Sequence, residues 1–305
     1  MALSKIEKLS RLVNRISKGH HTMSTLLKAR VRQPSYAGSI CLFLLLGVAI
    51  GAATYVTFLT QTVRAGLKFG MVFLTLFGWL ATSRVRWLQP YRAILQGFFA
   101  VSLGVLLTHY LGNVPLQLSG FSVEMIEGVA VAKLGEALPI VLSILAIHFA
   151  FGDDMDGLYL KRGNLRLWLI VGLSGFAVFA GLGVLQVIGS YLRWSDVWAA
   201  LPWILIFLFS NAFMEELWFR ALFLKKLEPL LGRTTSLAIT SIVFAIVHIS
   251  SIYVIDILLF MVALLALGWL WGYLMQKTNS IWGSVLIHAG ADLLVIMGFL
   301  MATAG

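Results

Sequence analysis

Ten ionisable residues interrupt long apolar stretches of this 305-residue chain: His109, Lys133, Glu136, His148, Glu215, Glu216, Arg220, His248, His288 and Asp292. Charge is costly to hold in an apolar medium, so each marks a place where function is to be sought. Six of them fall after residue 210. Glu216 and Arg220 are four apart with the acid first, the order that favours an ion pair on one helical face. Glu215 lies about 100° round the same helix and is left without that cation. An unpaired buried carboxylate is a general-base candidate.

His248 follows Phe244 by four residues on the next apolar stretch. Pro229 and Gly232 signal the turn between the two. Positions 215 and 248 stand about equally far from that turn, so an antiparallel hairpin sets Glu215 and His248 face to face, about 24 Å along each helix. His288 and Asp292, again four apart, share one face of the last apolar stretch. Asp292 there fixes the imidazole, or both residues address a substrate carbonyl. Gly290 between them lets another backbone come close.

Two acids and two histidines on three helices fit two hydrolytic chemistries. Glu215 and His248 activate a water directly while His288 and Asp292 stabilise the tetrahedral oxyanion. Alternatively Glu215, His248 and His288 hold zinc or another divalent ion whose bound water attacks. No His-Glu-x-x-His run is present, and the favoured version needs no cofactor. A proton-coupled transporter would use the same acids and histidines as relays, and a non-catalytic membrane scaffold is the third class. No inverted repeat supports the transporter.

The elements that position these residues are membrane helices. The composition is 60% hydrophobic and 12% charged, with a mean hydropathy of +0.92, too little charge to cover a soluble domain. Apolar runs of bilayer length recur near 37–59, 68–82, 93–112, 128–150, 167–190, 198–224, 235–250, 257–275 and 281–303. The spacing predicts an all-α polytopic bundle of about eight or nine spans, with 68–82 short enough to be re-entrant. Residues 1–36 form a basic extension, 37–194 a first set of helices and 195–305 the set that carries the chemistry.

That extension holds eight Lys/Arg and one acid, with Leu3, Ile6, Leu9, Val13 and Ile16 at helical spacing. The pattern suits a helix on anionic headgroups, not a nucleic-acid arm or a cleaved signal. With the N-terminus in the cytoplasm, the other inner connections hold Arg84, Arg86, Arg92, Lys161, Arg162, Arg166, Lys225, Lys226, Arg233 and Lys277. The outer ones hold Arg64, Lys68 and Arg193. That asymmetry predicts a cytoplasmic N-terminus and a multi-pass protein. The single cysteine, Cys41, has no partner for an internal disulfide.

Glu215-Glu216-x-x-x-Arg220, then Phe244-x-x-x-His248, then His288-x-x-x-Asp292, in order on successive apolar stretches, resembles the CAAX prenyl protease and bacteriocin-processing (Abi) family, the type II CAAX endopeptidases. The resemblance covers roughly residues 195–303. It implies an intramembrane endopeptidase in which Glu215 and His248 activate water and His288 and the residue at 292 serve the oxyanion. Glu216, Arg220 and Phe244 support them. The substrate it implies is a membrane peptide or protein, prenylated in the eukaryotic members, whose last position is usually Asn where this chain has Asp292. Members of the family have been labelled metalloproteases.

Four other features have simpler readings. Gly172-Leu173-Ser174-Gly175 spells a rhomboid-like Gly-x-Ser-Gly, but small residues also let membrane helices pack. Lys133 and Glu136, three apart, neutralise each other. His109 and His148 lie near span ends. Trp87, Trp168, Trp194, Trp198 and Trp282 belong to the interfacial belt.

Overall fold

The computed structural model describes residues 35–55, 59–250 and 256–304. The basic amphipathic extension predicted for residues 1–36 thus lies, but for its last two residues, outside the described part. Among the described residues ten α-helices follow one another: α1 Tyr36–Tyr55, α2 Gln61–Ala81, α3 Arg92–Leu111, α4 Val114–Ser119, α5 Ile126–Ala150, α6 Leu165–Ile188, α7 Trp194–Glu215, α8 Leu222–Val247, α9 Ile257–Thr278 and α10 Trp282–Ala304. A wide π-type turn, Glu216–Ala221, joins α7 to α8. There is no strand among the described residues. Among the described residues eight stretches are long and apolar enough to cross a bilayer, and the chain is an all-α, multi-pass membrane protein.

One of those stretches, Trp194–Val247, has 54 residues, about 80 Å if straight and far longer than a bilayer is thick. Gly232 breaks it with φ 75° and ψ 168°, a left-handed conformation that glycine adopts at little steric cost. The chain doubles back there, and the stretch becomes two antiparallel legs. The turn expected from Pro229 and Gly232 is therefore where the reversal occurs. α1 lies along the second leg. A Cβ on Gly47 would meet Val243, and one on Gly51 would meet Val247.

The expectation of a short, re-entrant helix at 68–82 is corrected: α2 has 21 residues and starts at Gln61. Thr60 caps it by accepting a hydrogen bond from the Val63 amide at 3.4 Å, the usual service of a threonine at this position. Arg64 and Lys68, read from sequence as loop residues, sit on the helix itself. His148 lies in the last turn of α5, near the span end as expected. It is buried at 3% exposure, and its Nε2–H donates to the Asp154 carbonyl at 2.7 Å. It thereby pins the polar connection after α5. That connection is clamped further by Lys226 on Asp153 at 3.2 Å and by Tyr159 donating to Glu228 at 3.0 Å. Burial and the Glu228 carboxylate beside it push the Tyr159 phenol well above its ordinary pKa, so it remains a donor.

α6 packs along α10 over most of its length through small residues. Gly172 faces Gly283, Gly175 faces Ile287, and Gly290 faces the backbone of Phe176. The Gly-x-Ser-Gly run is part of this seam, and Ser174 itself is exposed on the far side. Close approach of this kind is how membrane helices gain packing energy in the absence of a hydrophobic drive. A Cβ on Gly290 would lie 2.9 Å from the Phe176 Cα, backbone that has no rotamer to yield. Gly290→Val is therefore expected to cost about 1–3 kcal/mol in unfolding experiments in detergent. Gly298→Ala, which meets nothing within 4 Å, should stay within about 0.5 kcal/mol of the parent. Equal stabilities for the two variants would contradict the packing described here.

Candidate active site

The buried polar centre is assembled from α7, the π-turn, α8, α9 and α10. Leu217 O accepts from the Leu222 amide five residues on, one residue wider than an α-turn, a feature that recurs at functional sites. Glu215 ends α7 and Glu216 opens the wide turn, so their carboxylates leave the helix at neighbouring angles. His288 of α10 fills the angle between them. Its Nδ1–H donates to Glu216 Oε1 at 2.9 Å, and its Nε2 stands 3.5 Å from Glu215 Oε2. Asp292, one turn on, approaches the same Nε2 at 3.6 Å. Three carboxylates thus converge on one imidazole.

Glu216 Oε1 accepts a second charge-assisted bond, from Arg220 Nη1 at 2.9 Å. Both side chains are 0% exposed. Arg220 lies under the Phe244 ring, 3.7 Å from its centroid, and 5.2 Å from that of Trp271, so two aromatic faces help compensate its desolvation. Gly268 of α9 makes the room, since a Cβ there would stand 2.8 Å from Arg220 Nη2. Trp271 lies flat on His288, with ring centroids 4.1 Å apart and planes 10° apart. Trp218, Phe219 and Phe244 are the aromatic side chains of the motif segments. All three are buried, and Phe244 packs between Arg220, His248 and His288.

His248 caps the end of α8, across from Glu215. Its Nδ1–H donates to the Phe244 carbonyl at 2.8 Å. In the neutral ring this leaves the Nε2 lone pair facing Glu215 Oε1 at 3.8 Å. That gap is too long for a direct hydrogen bond and suits one bridging water. Glu215, His248, His288 and Asp292 therefore share one environment, and Glu216 and Arg220 form its buried floor. Lys133 and Glu136 pair at 2.6 Å, and Lys133 is close enough to feel Glu215 and Asp292 electrostatically. His109 is exposed at the end of α3, outside this centre.

Sequence reasoning missed Asn211, Gly268 and Trp271. Asn211 sits one turn before Glu215, and its Nδ2 donates to Asp292 Oδ2 at 2.9 Å. A polar amide at that spacing in an apolar helix was a readable signal. Gly268 and Trp271 carried none, because both residue types are ordinary in membrane helices.

The centre lies level with Gly51, since Gly51 abuts Val247. That is about 22 Å from the Tyr36 end of α1 and about 6 Å from its Tyr55 end. For a metal, the donors would have to converge at about 2 Å from one point. Among the described residues no three His, Cys, Asp or Glu side chains are so arranged.

Removing one partner of a buried ion pair strands the other. Arg220→Met should cost about 3–5 kcal/mol in detergent unfolding, and Glu216→Leu placed in the same chain should restore part of the loss. A single Arg220→Met variant as stable as the parent would refute the role given to this pair.

No curated protein and no solved structure matches the chain. The family model described as type II CAAX prenyl endopeptidase, Rce1-like, matches residues 196–294. The matched segment contains every residue of the centre from Asn211 to Asp292. Over that segment, about a third of the chain, the protein is similar to the Rce1-like type II CAAX prenyl endopeptidases.

Proposed function

We propose that the chain is an intramembrane endopeptidase that hydrolyses peptide bonds of membrane-associated or lipid-modified peptides with water activated by Glu215 and His248. The observation that carries this reading is the 3.8 Å gap between Glu215 Oε1 and His248 Nε2, with the His248 tautomer fixed by the Phe244 carbonyl. A water held there gives one hydrogen to each neighbour and turns its oxygen lone pair outward. As that oxygen attacks the scissile carbonyl carbon, Glu215 takes the proton. The carbonyl π-electrons move to oxygen, and His288 Nε2–H donates to the oxyanion. Collapse breaks the C–N bond, and Glu215 returns its proton to the leaving amine.

Glu216 holds the Nδ1 edge of the His288 ring, Asp292, itself held by Asn211, flanks its Nε2 edge, and Trp271 holds its plane. Position 292 carries a carboxylate where prenyl-protein members usually have an amide, so a lipid-modified peptide other than a prenylated one fits this reading equally. A substrate helix must unwind locally before attack, because its carbonyls are otherwise bonded internally. In this reading the residues act without a metal.

The test is cleavage of a fluorogenic membrane-peptide library, half of it lipid-modified, by purified protein in proteoliposomes. Glu215→Gln and His248→Ala should each lower kcat/KM by about 10²–10⁴-fold, with unfolding midpoints near the parent's. Incubation with a strong chelator, followed by elemental analysis, should leave activity intact. Loss on chelation with recovery on zinc would replace direct activation by a metal-bound water. A parent protein that cleaves nothing in the library, with both variants behaving identically to it, would overturn the endopeptidase reading.

A further inference from the structure

Away from the buried centre, the first two turns of α2 and the end of α3 enclose a polar pocket of about 270 Å³ lined by Gln61, Arg64, Lys68, His109 and Asn113. Arg64 and Lys68 are four apart on one helical face, an arrangement in which like charges repel. Among the described residues neither forms an ion pair. The acid whose field reaches Lys68 is Glu136, and it is already held by Lys133 at 2.6 Å. Arg64 Nε is buried without a hydrogen-bond partner. His109 faces both cations, and the two amides add donors. Every lining group can donate and none is a carboxylate. This is the chemistry of an oxyanion site, in which a phosphate would accept from an Arg fork and a Lys point charge together.

The surroundings favour a lipid source for that phosphate. Val63, Leu67, Phe69 and Tyr110 flank the pocket as exposed apolar or aromatic side chains, and Phe69 and Tyr110 meet edge to face at 6.1 Å. The pocket opens at the start of one spanning helix and the end of another, where headgroups lie. We propose that it binds a phosphate group, presented by the headgroup of an anionic phospholipid whose chains lie against Leu67, Phe69 and Tyr110. The site is independent of the hydrolytic reading, because none of its five residues belongs to the Glu215–His288 centre.

The experiment measures melting midpoints of the full chain in a non-ionic detergent with short-chain phosphatidylglycerol, with diacylglycerol of equal chain length, or with sodium phosphate. Each is compared with sodium chloride at matched ionic strength. Phosphatidylglycerol should raise the midpoint by about 2–4 °C at saturation, and diacylglycerol should not. The Arg64→Gln/Lys68→Gln variant should lose the response while its midpoint without lipid stays level or rises, since a repulsion has been removed. The charge-conserving Arg64→Lys/Lys68→Arg variant should keep most of the response and guards against a folding artefact. Sodium phosphate matching phosphatidylglycerol at equal concentration would overturn the lipid source in favour of a soluble one. An unchanged response in the Gln variant, or none in the parent, would overturn the site.

Discussion

A guanidinium and a carboxylate with no exposure to solvent, Arg220 and Glu216, set the terms for everything around them. Neither could remain charged there alone. Arg220 is kept by one carboxylate oxygen, two aromatic faces and the gap at Gly268. Glu216 Oε1 then has capacity for a second donor and takes the Nδ1–H of His288. That bond fixes the face which His288 turns toward Glu215 and Asp292, and Trp271 holds the plane of the ring. Four helices are thus tied to one ion pair. The apolar seam between α6 and α10 carries the fifth element of this arrangement and adds no polar group of its own.

The sequence disclosed the parts of this arrangement that lie close along one helix or symmetrically about one turn. Glu216 with Arg220 follows from the helical repeat, and Glu215 opposite His248 follows from equal distances to Gly232. The bond between His288 and Glu216 joins residues 72 apart, and no local periodicity encodes it. The wide turn was equally hidden, because Glu-Leu-Trp-Phe-Arg-Ala is compatible with an ordinary α-helix. α2 was misjudged for a different reason. Its two cations read as loop residues, although in space they face a polar pocket and leave the apolar side of the helix intact.

The fold also separates two kinds of charge. On the buried centre acids outnumber fixed cations, with Glu215, Glu216 and Asp292 against Arg220. At the start of α2 the balance is reversed, with two cations and no acid. Lys133 and Glu136 stand between the two regions, one feeling Glu215 and Asp292 and the other feeling Lys68. Tyr55 at the end of α1 donates to Glu136 at 3.3 Å and lies against His248 with ring centroids 6.4 Å apart. The polar groups of this membrane protein therefore form a broken file across α1, α2 and α5.

The wide turn between Glu216 and Ala221 acts as an angular gearbox. In an unbroken α-helix, a change in the roll of α7 would be transmitted to α8 degree for degree. With one surplus residue in the turn, the two sides hold different phases about a common axis, Glu215 on one and Arg220, seated under Phe244, on the other. The carboxylate of Glu215 and the guanidinium of Arg220 are thereby set in different phases on either side of a six-residue turn.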